Sequence, residues 1–377
     1  MHESHERALQ ALAQRGRHRA LQPRAGIDFA SNDYLALASA PELIDSARAA
    51  LERGVSVGAG GSRLLRGNDR EHEALEREAA AFFRSESALF FSSGFMANVA
   101  LFSTLPQRGD LIVHDALIHA SVHEGMRTSK AQRAEARHND AASFEDAIKD
   151  WRAAGGTGTP WIAVESLYSM DGDRAPLGQL IEIVERHGGI LVIDEAHATG
   201  VFGPEGRGLG AGLEGRSDVI ALHTCGKALG VMGALVMGPQ VLCDYLINRC
   251  RPFIYATAPS PLVTALVRAS LMICHIDGRR RERLQTLVAF AAEQLTTRCG
   301  IAPSGSQIQP VIVGANERAT RLASAMQARG FDIRAIRPPS VPEGTARLRV
   351  SVTLNVTKEH VATMATALAE EQARLAP

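Results

Sequence analysis

Two short apolar runs, each followed by polar side chains, constrain the fold of this chain more than any other feature. The runs are Ile190–Ile193 in ILVIDEAHATG and Val219–Leu222 in VIALHTCGKALG. Both are rich in β-branched residues and have the length of strands that are buried on both faces. The polar residues that follow them are Asp194 and His197, and Thr224 and Lys227. In a parallel sheet these side chains would meet at the carboxyl edge, where open α/β sheets bind ligands.

An acid, an imidazole and a lysine at one sheet edge suggest a site for pyridoxal phosphate (PLP). PLP needs a lysine for its Schiff base and a carboxylate that keeps its pyridine nitrogen protonated, so that the ring can store electrons. Lys227 would supply the amine and Asp194 the carboxylate. The sequence therefore predicts a PLP-dependent enzyme, with Lys227 in a glycine-bounded loop before the run GALVMG.

Other interpretations of this stretch compete with a cofactor site. DEAH also occurs in helicases, but the nucleotide-binding loop G-x-x-x-x-G-K-[ST] would need glycine where the chain has Ala221. Asp194, Glu195 and His197 could ligate a metal, although no second cluster at ligand spacing supports one, and we predict none. A lone lysine is most often a solvated charge. The position of Lys227 between two strands is what favours catalysis.

The composition argues against several classes of protein. The chain has 377 residues with 41 Lys and Arg against 41 Asp and Glu, so we expect neither nucleic-acid binding nor attraction to an anionic membrane. No run of 18 apolar residues predicts a membrane span, and the N-terminal segment lacks the apolar core of a secretion signal. The five cysteines are odd in number and scattered, which is typical of reduced thiols in the cytoplasm.

Two further segments are candidates for contacts with a cofactor. The run at 88–91 ends in SSGF before a predicted helix, and such a turn directs backbone N–H groups at an anion, here the cofactor phosphate. Glycine at such a junction also occurs merely to make the turn. HDALIHASVHEG places His119 and His123 four residues apart on a predicted helix. Zinc is one interpretation, although the glutamate of HExxH is missing; a packed or surface histidine and a histidine stacked on an aromatic cofactor are the others.

Strands alternate with helices from residue 88 to about 240, which predicts an α/β fold with a mostly parallel sheet and helices on both faces. A helix with Asn68 as its N-cap precedes them. From about residue 275 the pattern predicts a small α+β domain with strands at IQPVIVG, Phe331–Ile336 and ARLRVSVT. The predicted domains are 1–40, an N-terminal helix and connecting segment; 41–274, a large PLP-binding domain; and 275–377, a small C-terminal domain.

The last predicted strand carries two arginines on one face. Arg347, Arg349, Ser351 and Thr353 alternate with apolar residues, so they share that face. The arginines could clamp a carboxylate bidentately, or the face could simply be solvated. The spacing leaves both interpretations open.

Eight segments, in order along the chain, resemble the α-oxoamine synthase family. They are FASNDYLALA, GAGGSRLLRG, SSGFMAN, HDALIHAS, ESLYSMDGD, IDEAHATGVFGPEGRG, TCGKALG and IRPPSVPEGTARLRVSVT. The resemblance runs from about residue 28 to the end. It implies an aminotransferase-like PLP fold (fold type I) in a homodimer with active sites at the interface. It also implies decarboxylative condensation of L-alanine with a pimeloyl thioester, carried by coenzyme A or acyl carrier protein, in biotin synthesis.

The resemblance assigns roles to individual residues. The catalytic residues that it implies are Lys227 as the Schiff-base lysine and proton shuttle, Asp194 at the ring nitrogen, and His119 stacked on the ring. The other cofactor contacts that it implies are His197 and Ser169 at the ring hydroxyl, Gly94, Phe95 and Thr224, and Thr257 reaching the phosphate across the dimer. The substrate contacts that it implies are Arg349 at the amino-acid carboxylate, with Asn32 and Thr353 nearby.

The N-terminal segment departs from the family pattern. Relatives have an Arg-rich turn and a small β-hairpin before SNDYL, whereas here residues 21–26 lead almost directly to Phe29. Gln22 falls roughly where an acyl-binding arginine is expected, so acyl recognition is less defined than cofactor binding. Two rivals remain open: a glycine-using member of the 2-amino-3-ketobutyrate ligase or 5-aminolevulinate synthase type, and a catalytically inactive partner subunit with the same fold.

Overall fold

The structure is a computed structural model that describes residues 2–375. It divides into two units. The large unit comprises Leu35–Ser169 and Arg174–Arg281; the small unit comprises the described residues up to Tyr34, Met170–Asp173, and the described residues from Glu282 onward. The division into 1–40, 41–274 and 275–377 stays a prediction, and the structure groups the N-terminal residues with the C-terminal ones.

The strands within residues 2–375, in chain order, are β1 (Ile27–Asp28), β2 (Ser87–Phe91), β3 (Leu111–Asp115), β4 (Gln132–Ala136), β5 (Pro160–Glu165), β6 (Ile190–Asp194), β7 (Val219–Thr224), β8 (Ala234–Gly238), β9 (Ile308–Gly314), β10 (Phe331–Asp332), β11 (Arg334–Ile336) and β12 (Ala346–Ser351). The α-helices are α1 (Glu3–Gln14), α2 (Pro41–Glu52), α3 (Arg70–Phe82), α4 (Gly94–Thr104), α5 (Ala120–Thr128), α6 (Ala141–Ala153), α7 (Leu177–His187), α8 (Gln240–Arg249), α9 (Arg251–Ile254), α10 (Pro261–Ile276), α11 (Gly278–Cys299), α12 (Asn316–Ala328) and α13 (Lys358–Arg374).

The large unit is built on a seven-stranded sheet in the order β2-β8-β7-β6-β5-β3-β4. Only β8 runs antiparallel to its neighbours, so the other six strands end at the same edge. Alternate residues of the strands enter two apolar cores: Val192 and Ile220 on one face, Leu191 and Ile193 on the other. Helices cover both faces, which explains why these strands read as continuous apolar runs. The predicted mostly parallel sheet is confirmed.

The start of α3 differs from the prediction by one residue. The N-cap is Asp69, whose side chain accepts a hydrogen bond from Glu71 N at 2.9 Å, while His72 Nδ1 accepts from Asp69 N at 3.1 Å. Asn68, the predicted cap, instead contacts the side chain of Arg63. Both residues are favourable caps, and the local backbone decides which one takes the position.

The small unit contains a three-stranded antiparallel sheet in the order β11-β12-β9 and a two-stranded parallel sheet of β1 and β10. The single strand predicted at 331–336 is therefore wrong. A turn, in which Ile333 N donates to Phe331 O, divides the segment 331–336 into β10 and β11. These two strands join different sheets. Apolar periodicity does not reveal such a break because both halves remain partly or wholly buried.

The arginine face of β12 is buried rather than solvated. Arg347 is 3% exposed and Arg349 is 7% exposed, while Thr353 beyond the strand is also buried. Arg347 pairs with the Asp171 carboxylate, within the same unit. The interpretation as a solvated sheet face is therefore wrong, and Arg349 donates to the hydroxyl oxygens of Ser351 and Tyr34.

The N-terminal segment contributes no buried residue from α1, and Leu9 and Leu12 of that helix are exposed. Residues 15–26 contain no β-hairpin, and Arg334 donates to the side-chain oxygen of Gln22. Within residues 2–375 no single helix is long and apolar enough to cross a membrane, although the bent pair α10 and α11 reaches that length and composition together. The five cysteines are free thiols, four of them buried.

Candidate active site

The predicted lysine lies in a tight loop between β7 and β8. Cys225 N donates to Gly233 O at 2.8 Å and Gly230 N donates to Lys227 O at 2.9 Å, so the backbone around the lysine is held from both sides. Gly230 has a φ of +66°, and a Cβ there would lie 2.4 Å from the backbone nitrogen of Ala38. Glycine is required at this position by both its conformation and the close approach.

His197 contacts the lysine amine directly. Its Nε2 lies 2.8 Å from Lys227 Nζ, and the ring is buried in the turn that follows β6. Because β6 and β7 are parallel neighbours, the segments that leave them emerge at the same sheet edge. The structure thus brings Lys227 and His197 together.

Asp194 is the last residue of β6, and its carboxylate is buried with two hydrogen-bond donors. Asn98 Nδ2 donates to Oδ2 at 2.7 Å, and Ala196 N donates to Oδ1 at 2.9 Å. Sequence reasoning assigned no role to Asn98, which is buried in α4. The signal that could have revealed it is a polar residue inside the apolar helical segment FMANVALF. A buried carboxylate is costly unless it is hydrogen-bonded, so Asn98 is part of the site.

His119 is the N-cap of α5 and does not belong to the helix itself. Its Nδ1 accepts from Ser121 N at 3.2 Å and lies 2.7 Å from Ser121 Oγ. The interpretation of His119 and His123 as helical neighbours is therefore wrong; His123 instead packs edge-on against His114, with ring centroids 5.0 Å apart. Among the described residues, no three His, Cys, Asp or Glu side chains converge on a metal position.

The surroundings of His119 favour its neutral form. Desolvation by the surrounding protein lowers the pKa of His119, Lys227 lowers it further, and Asp194 opposes the shift. The residue is nevertheless exposed in the single chain, and its ring lies edge-on to that of Phe95 with centroids 6.4 Å apart. A neutral imidazole therefore has an open side next to the lysine and the acid.

The first turn of α4 forms an anion-binding position. Ser93 caps the helix by accepting from Met96 N at 3.2 Å. Within residues 2–375 the backbone N–H groups of Gly94 and Phe95 have no hydrogen-bond acceptor, as expected for a helix N-terminus. A Cβ on Gly94 would lie 3.4 Å from Thr224 Oγ1. Gly94 and Thr224 are thus adjacent, and the open donors suit a phosphate.

Ser169 follows β5 at the same edge of the sheet. Its backbone N donates to Glu165 Oε2 at 3.0 Å, and both residues are buried. Sequence reasoning also missed Glu165, although a glutamate ending an otherwise apolar strand was a usable signal. Burial raises the pKa of Glu165 to about 8, and the charge of Asp194 adds to the effect.

Glu195 fixes the loop that follows the site. Its carboxylate accepts from Ser166 Oγ at 2.6 Å, from Leu209 N at 3.1 Å and from Gly210 N. A Cβ on Gly208 would lie 2.6 Å from Glu195 Oε2, so the glycines of GRGLG leave room for this carboxylate. Burial raises the pKa of Glu195 to about 7. This side chain orders the backbone behind the site and is not free to ligate a metal.

Thr257 is exposed in the loop after α9. It lines a cavity of about 20 Å³ together with Ser92 and Met96, which flank Gly94 and Phe95 in the sequence. Thr257 therefore shares a small cavity with the segment that carries Gly94 and Phe95.

The predicted substrate residues lie in the small unit, where two of them share a contact. Arg349 Nη2 donates to Tyr34 Oη at 3.2 Å, and Tyr34 Oη donates to Asn32 Oδ1 at 3.0 Å. Arg349 Nη1 also donates to Ser351 Oγ at 2.6 Å. Thr353 is buried and accepts from Asn355 N at 3.2 Å, so it serves the local backbone. Sequence reasoning missed Tyr34, the residue that joins Asn32 to Arg349.

Comparison with known proteins identifies the class. The model of the aminotransferase class I and II family matches residues 24–368. The chain belongs to the aminotransferase class I and II family. The 8-amino-7-oxononanoate synthase of Chromobacterium violaceum is 42% identical over 331 residues, which cover 87% of this chain and 85% of that protein.

Solved structures agree with this assignment. A serine palmitoyltransferase from S. paucimobilis with a bound PLP–myriocin aldimine is 26% identical, covers 99% of this chain and 98% of its own, and has a TM-score of 0.88. An 8-amino-7-oxononanoate synthase from Francisella tularensis is 29% identical, covers 93% of this chain and 98% of its own, and has a TM-score of 0.78. The resemblance and the fold class predicted from the sequence are confirmed; the roles of the individual site residues stay predictions.

Buried acids in the large unit predict that the protein loses stability as the pH rises from 6.5 to 8. Burial raises the pKa of Glu165 and Glu214 to about 8 and that of Glu195 to about 7, from an ordinary value of 4.5. The folded state therefore keeps protons that the unfolded state has released, and this stabilisation is lost as the pH passes the folded pKa values. Histidines with a lowered pKa act below pH 6.5, outside this window.

Urea denaturation of the full chain at several pH values measures the effect. Glu165→Gln should reduce the decrease in unfolding free energy between pH 6.5 and 8, because it removes one of the three groups. Glu182→Gln, on the exposed side of α7, is the matched control and should leave the decrease unchanged. A stability that is constant or rises over this window would contradict the assignment of buried protonated acids.

Proposed function

We propose that this protein is a PLP-dependent acyltransferase that condenses L-alanine with a pimeloyl thioester, giving 8-amino-7-oxononanoate, CO2 and the free thiol carrier. The observation that carries the proposal is the arrangement at the sheet edge, where Lys227 Nζ contacts His197 and where Asp194 is buried with its own donors. The relative from Chromobacterium violaceum, a named 8-amino-7-oxononanoate synthase, supports the specific reaction.

The residues at this edge fit PLP at both of its polar ends. Each carboxylate oxygen of Asp194 receives one donor in the structure, which leaves acceptor capacity for a protonated pyridine nitrogen. The open N–H groups of Gly94 and Phe95, with the Thr224 hydroxyl beside them, would bind the phosphate. His197 and Ser169 would contact the ring hydroxyl, and His119 would stack on the ring.

When bound, PLP stores the electron pair released at the α-carbon of an amino acid. Lys227 would hold the cofactor covalently until alanine displaces it, and the freed amine would then remove the α-proton. Asp194 would keep the pyridine nitrogen protonated, because a carboxylate in a dry site favours the adjacent cation. In the proposed reaction the α-carbon would bond to the thioester carbonyl carbon as the carbon–sulfur bond breaks and the carrier leaves as a thiol; breaking the bond to the carboxylate would then release CO2 and return an electron pair to the α-carbon. The Lys227 ammonium would return a proton to the α-carbon.

Arg349 is proposed to bind the carboxylate of the amino acid, with Asn32 and Thr353 contributing nearby. The support is that its guanidinium is buried and donates to the hydroxyl oxygens of Tyr34 and Ser351. A guanidinium is matched to a carboxylate ligand in charge and, through its paired N–H donors, in geometry.

A homodimer and a cytoplasmic location are also part of the proposal. Large apolar side chains are exposed in two segments of the large unit: Leu64 and Leu65 in residues 61–65, and Tyr255 in residues 255–258. These segments contact each other, since Ala258 N donates to Gly61 O at 2.9 Å. Exposed apolar residues of this size are typical of protein interfaces, and C2 dimers are the commonest oligomers. Free, mostly buried thiols are compatible with the cytoplasm.

The first experiment tests Lys227. Lys227→Ala should abolish turnover and the visible absorbance of covalently bound cofactor, because Lys227 would supply the amine that binds the cofactor beside His197. Lys130→Ala, an exposed lysine of the same unit, should keep both. Normal turnover by the Lys227→Ala protein would refute the assignment, and wild-type protein that binds no PLP would favour the inactive-subunit alternative.

A second experiment tests whether Thr257 acts across the dimer. Mixing Lys227→Ala protomers with Thr257→Ala protomers should produce heterodimers with one intact site each, so about a quarter of the wild-type sites should be active in a random mixture. Each variant alone, at the same concentration, is the control. If the mixture is no more active than the sum of its parts, Thr257 serves its own chain, where it lines a cavity with Ser92 and Met96.

The third experiment is a matrix of alanine, glycine and serine against pimeloyl, acetyl and succinyl thioesters on coenzyme A and on acyl carrier protein, with CO2 release as the readout. One methyl group in an apolar pocket is worth about 1–3 kcal/mol, so alanine should exceed glycine by roughly 10- to 200-fold in kcat/KM. Discrimination at the acyl end should be looser, because Gln22 stands where an arginine is expected. Glycine with an acetyl thioester as the best pair would transfer the protein to the ketobutyrate-ligase type.

A further inference from the structure

Two polar side chains, those of Asn98 and Ser121, connect Asp194 to His119 through a continuous series of hydrogen bonds. Asn98 Nδ2 donates to Asp194 Oδ2 at 2.7 Å and to Ser121 Oγ at 3.0 Å. Ser121 Oγ in turn lies 2.7 Å from His119 Nδ1. Asn98 and Ser121 are both buried, with Ser121 fully inaccessible. The series crosses from β6 through α4 to the start of α5, all within the large unit.

The charge of Asp194 determines the direction of the first two bonds. A carboxylate only accepts, so the amide of Asn98 must present its NH2 group to it, and the second hydrogen of that group is directed at Ser121. The opposite orientation would place Oδ1 of Asn98 against the carboxylate. In the assigned orientation Oδ1 is buried without a partner among residues 2–375, a cost that the charged bond to Asp194 offsets.

The backbone N–H of Ser121 fixes the direction of the next bond, because a hydroxyl that accepts from Asn98 could still accept a second hydrogen bond. Ser121 Oγ accepts from Asn98, so its hydroxyl hydrogen is available to His119 Nδ1. The backbone N–H of Ser121 also donates to the same ring nitrogen at 3.2 Å. Two donors converge on Nδ1, so this atom must be an unprotonated acceptor, and the proton of the neutral ring lies on Nε2.

We infer that Asn98 and Ser121 are positioning residues that fix His119 as the neutral tautomer with its proton on Nε2 and connect that ring to Asp194. Through this series the Asp194 carboxylate is linked to His119 while the imidazole stays uncharged, so the same carboxylate can also bind a protonated ring nitrogen. The charged groups that face His119 are Asp194, which raises the pKa of the imidazole, and Lys227, which lowers it.

The consequence for catalysis rests on the proposed function. If the imidazole of His119 were protonated, it would repel the protonated pyridine ring on which it stacks. The two cations would also compete for the negative charge of Asp194. A neutral His119 avoids both effects. The inference about the tautomer itself concerns only residues of this chain and is independent of any substrate.

The test is nitrogen NMR of the histidine side chains in the full-length protein, with and without added PLP. The His119 signals are assigned by their loss in His119→Gln. In the wild type, Nδ1 should show the shift of an unprotonated nitrogen and Nε2 that of a protonated one, with a titration midpoint below the ordinary histidine value. A protonated Nδ1 in the wild-type protein at neutral pH would overturn the inference.

Variants separate this role from simple packing. Ser121→Ala removes the hydroxyl that donates to the neutral ring, so the proton affinity of His119 should rise roughly three- to tenfold. Asn98→Leu, which keeps a branched side chain of similar shape, should shift it in the same direction by less. Ser306→Ala removes an equally buried, hydrogen-bonded serine from the small unit and should leave the His119 titration unchanged.

A conservative variant and the pH dependence of turnover provide two further measurements. Ser121→Thr retains the hydroxyl and should return the titration midpoint toward that of the wild type. A folded Ser121→Ala protein with an unaltered tautomer and midpoint would refute the positioning role; if that variant fails to fold, Asn98→Leu and Ser121→Thr decide the question by the same signals. In catalytically active protein, the acidic limb of the pH profile of kcat/KM should shift to higher pH in Ser121→Ala. An expected NMR result without turnover on any substrate would refute the proposed function and leave this inference intact.

Discussion

The buried carboxylate of Asp194 is the constraint on which the rest of the site depends. Removing a charge from water is costly, and here the cost is offset by donors that the fold must supply from outside β6. Asn98 comes from α4 and Ala196 from the turn after the strand. These donors restrict how α4 packs on the sheet, and α4 is also the helix whose first turn offers N–H groups to an anion. The packing of α4 on the sheet therefore positions both the Asp194 carboxylate and the anion-binding first turn of α4.

The parallel sheet converts this local constraint into a complete site. Because β5, β6 and β7 end together, Asp194 at the end of β6 and the segments that carry Ser169, His197 and Lys227 come to a single edge. The reversed strand β8 allows the lysine loop to be short, since an antiparallel neighbour needs no crossover helix. Gly230 then permits the close approach to Ala38 that fixes this loop. Short connections of this kind hold the amine in place without depending on the substrate.

The sequence predicted the strands and the residues at their ends, because β-branched runs and the polar residues that follow them are local signals. It did not predict the partners. Asn98 and Asp194 are 96 residues apart, and only sheet order and helix packing bring them together. Tyr34 and Arg349 are separated by even more of the chain. The break at Ile333 and the cap at Asp69 were missed for a different reason: neighbouring residues had equal local preferences, and the tertiary contacts decided between them.

Glu165 and Asp194, which are paired at the ends of β5 and β6, have different environments. Asp194 has a donor on each oxygen, whereas Glu165 accepts from Ser169 N on Oε2 and its Oε1 is buried without a partner in the described chain. Burial and the charge of Asp194 raise the pKa of Glu165 to about 8, so Glu165 is mainly protonated near neutral pH. Environments that separate two acids in this way assign them different tasks. The fold therefore keeps Glu165 neutral beside Asp194, whose hydrogen-bonded carboxylate is the one that would face a protonated ring nitrogen.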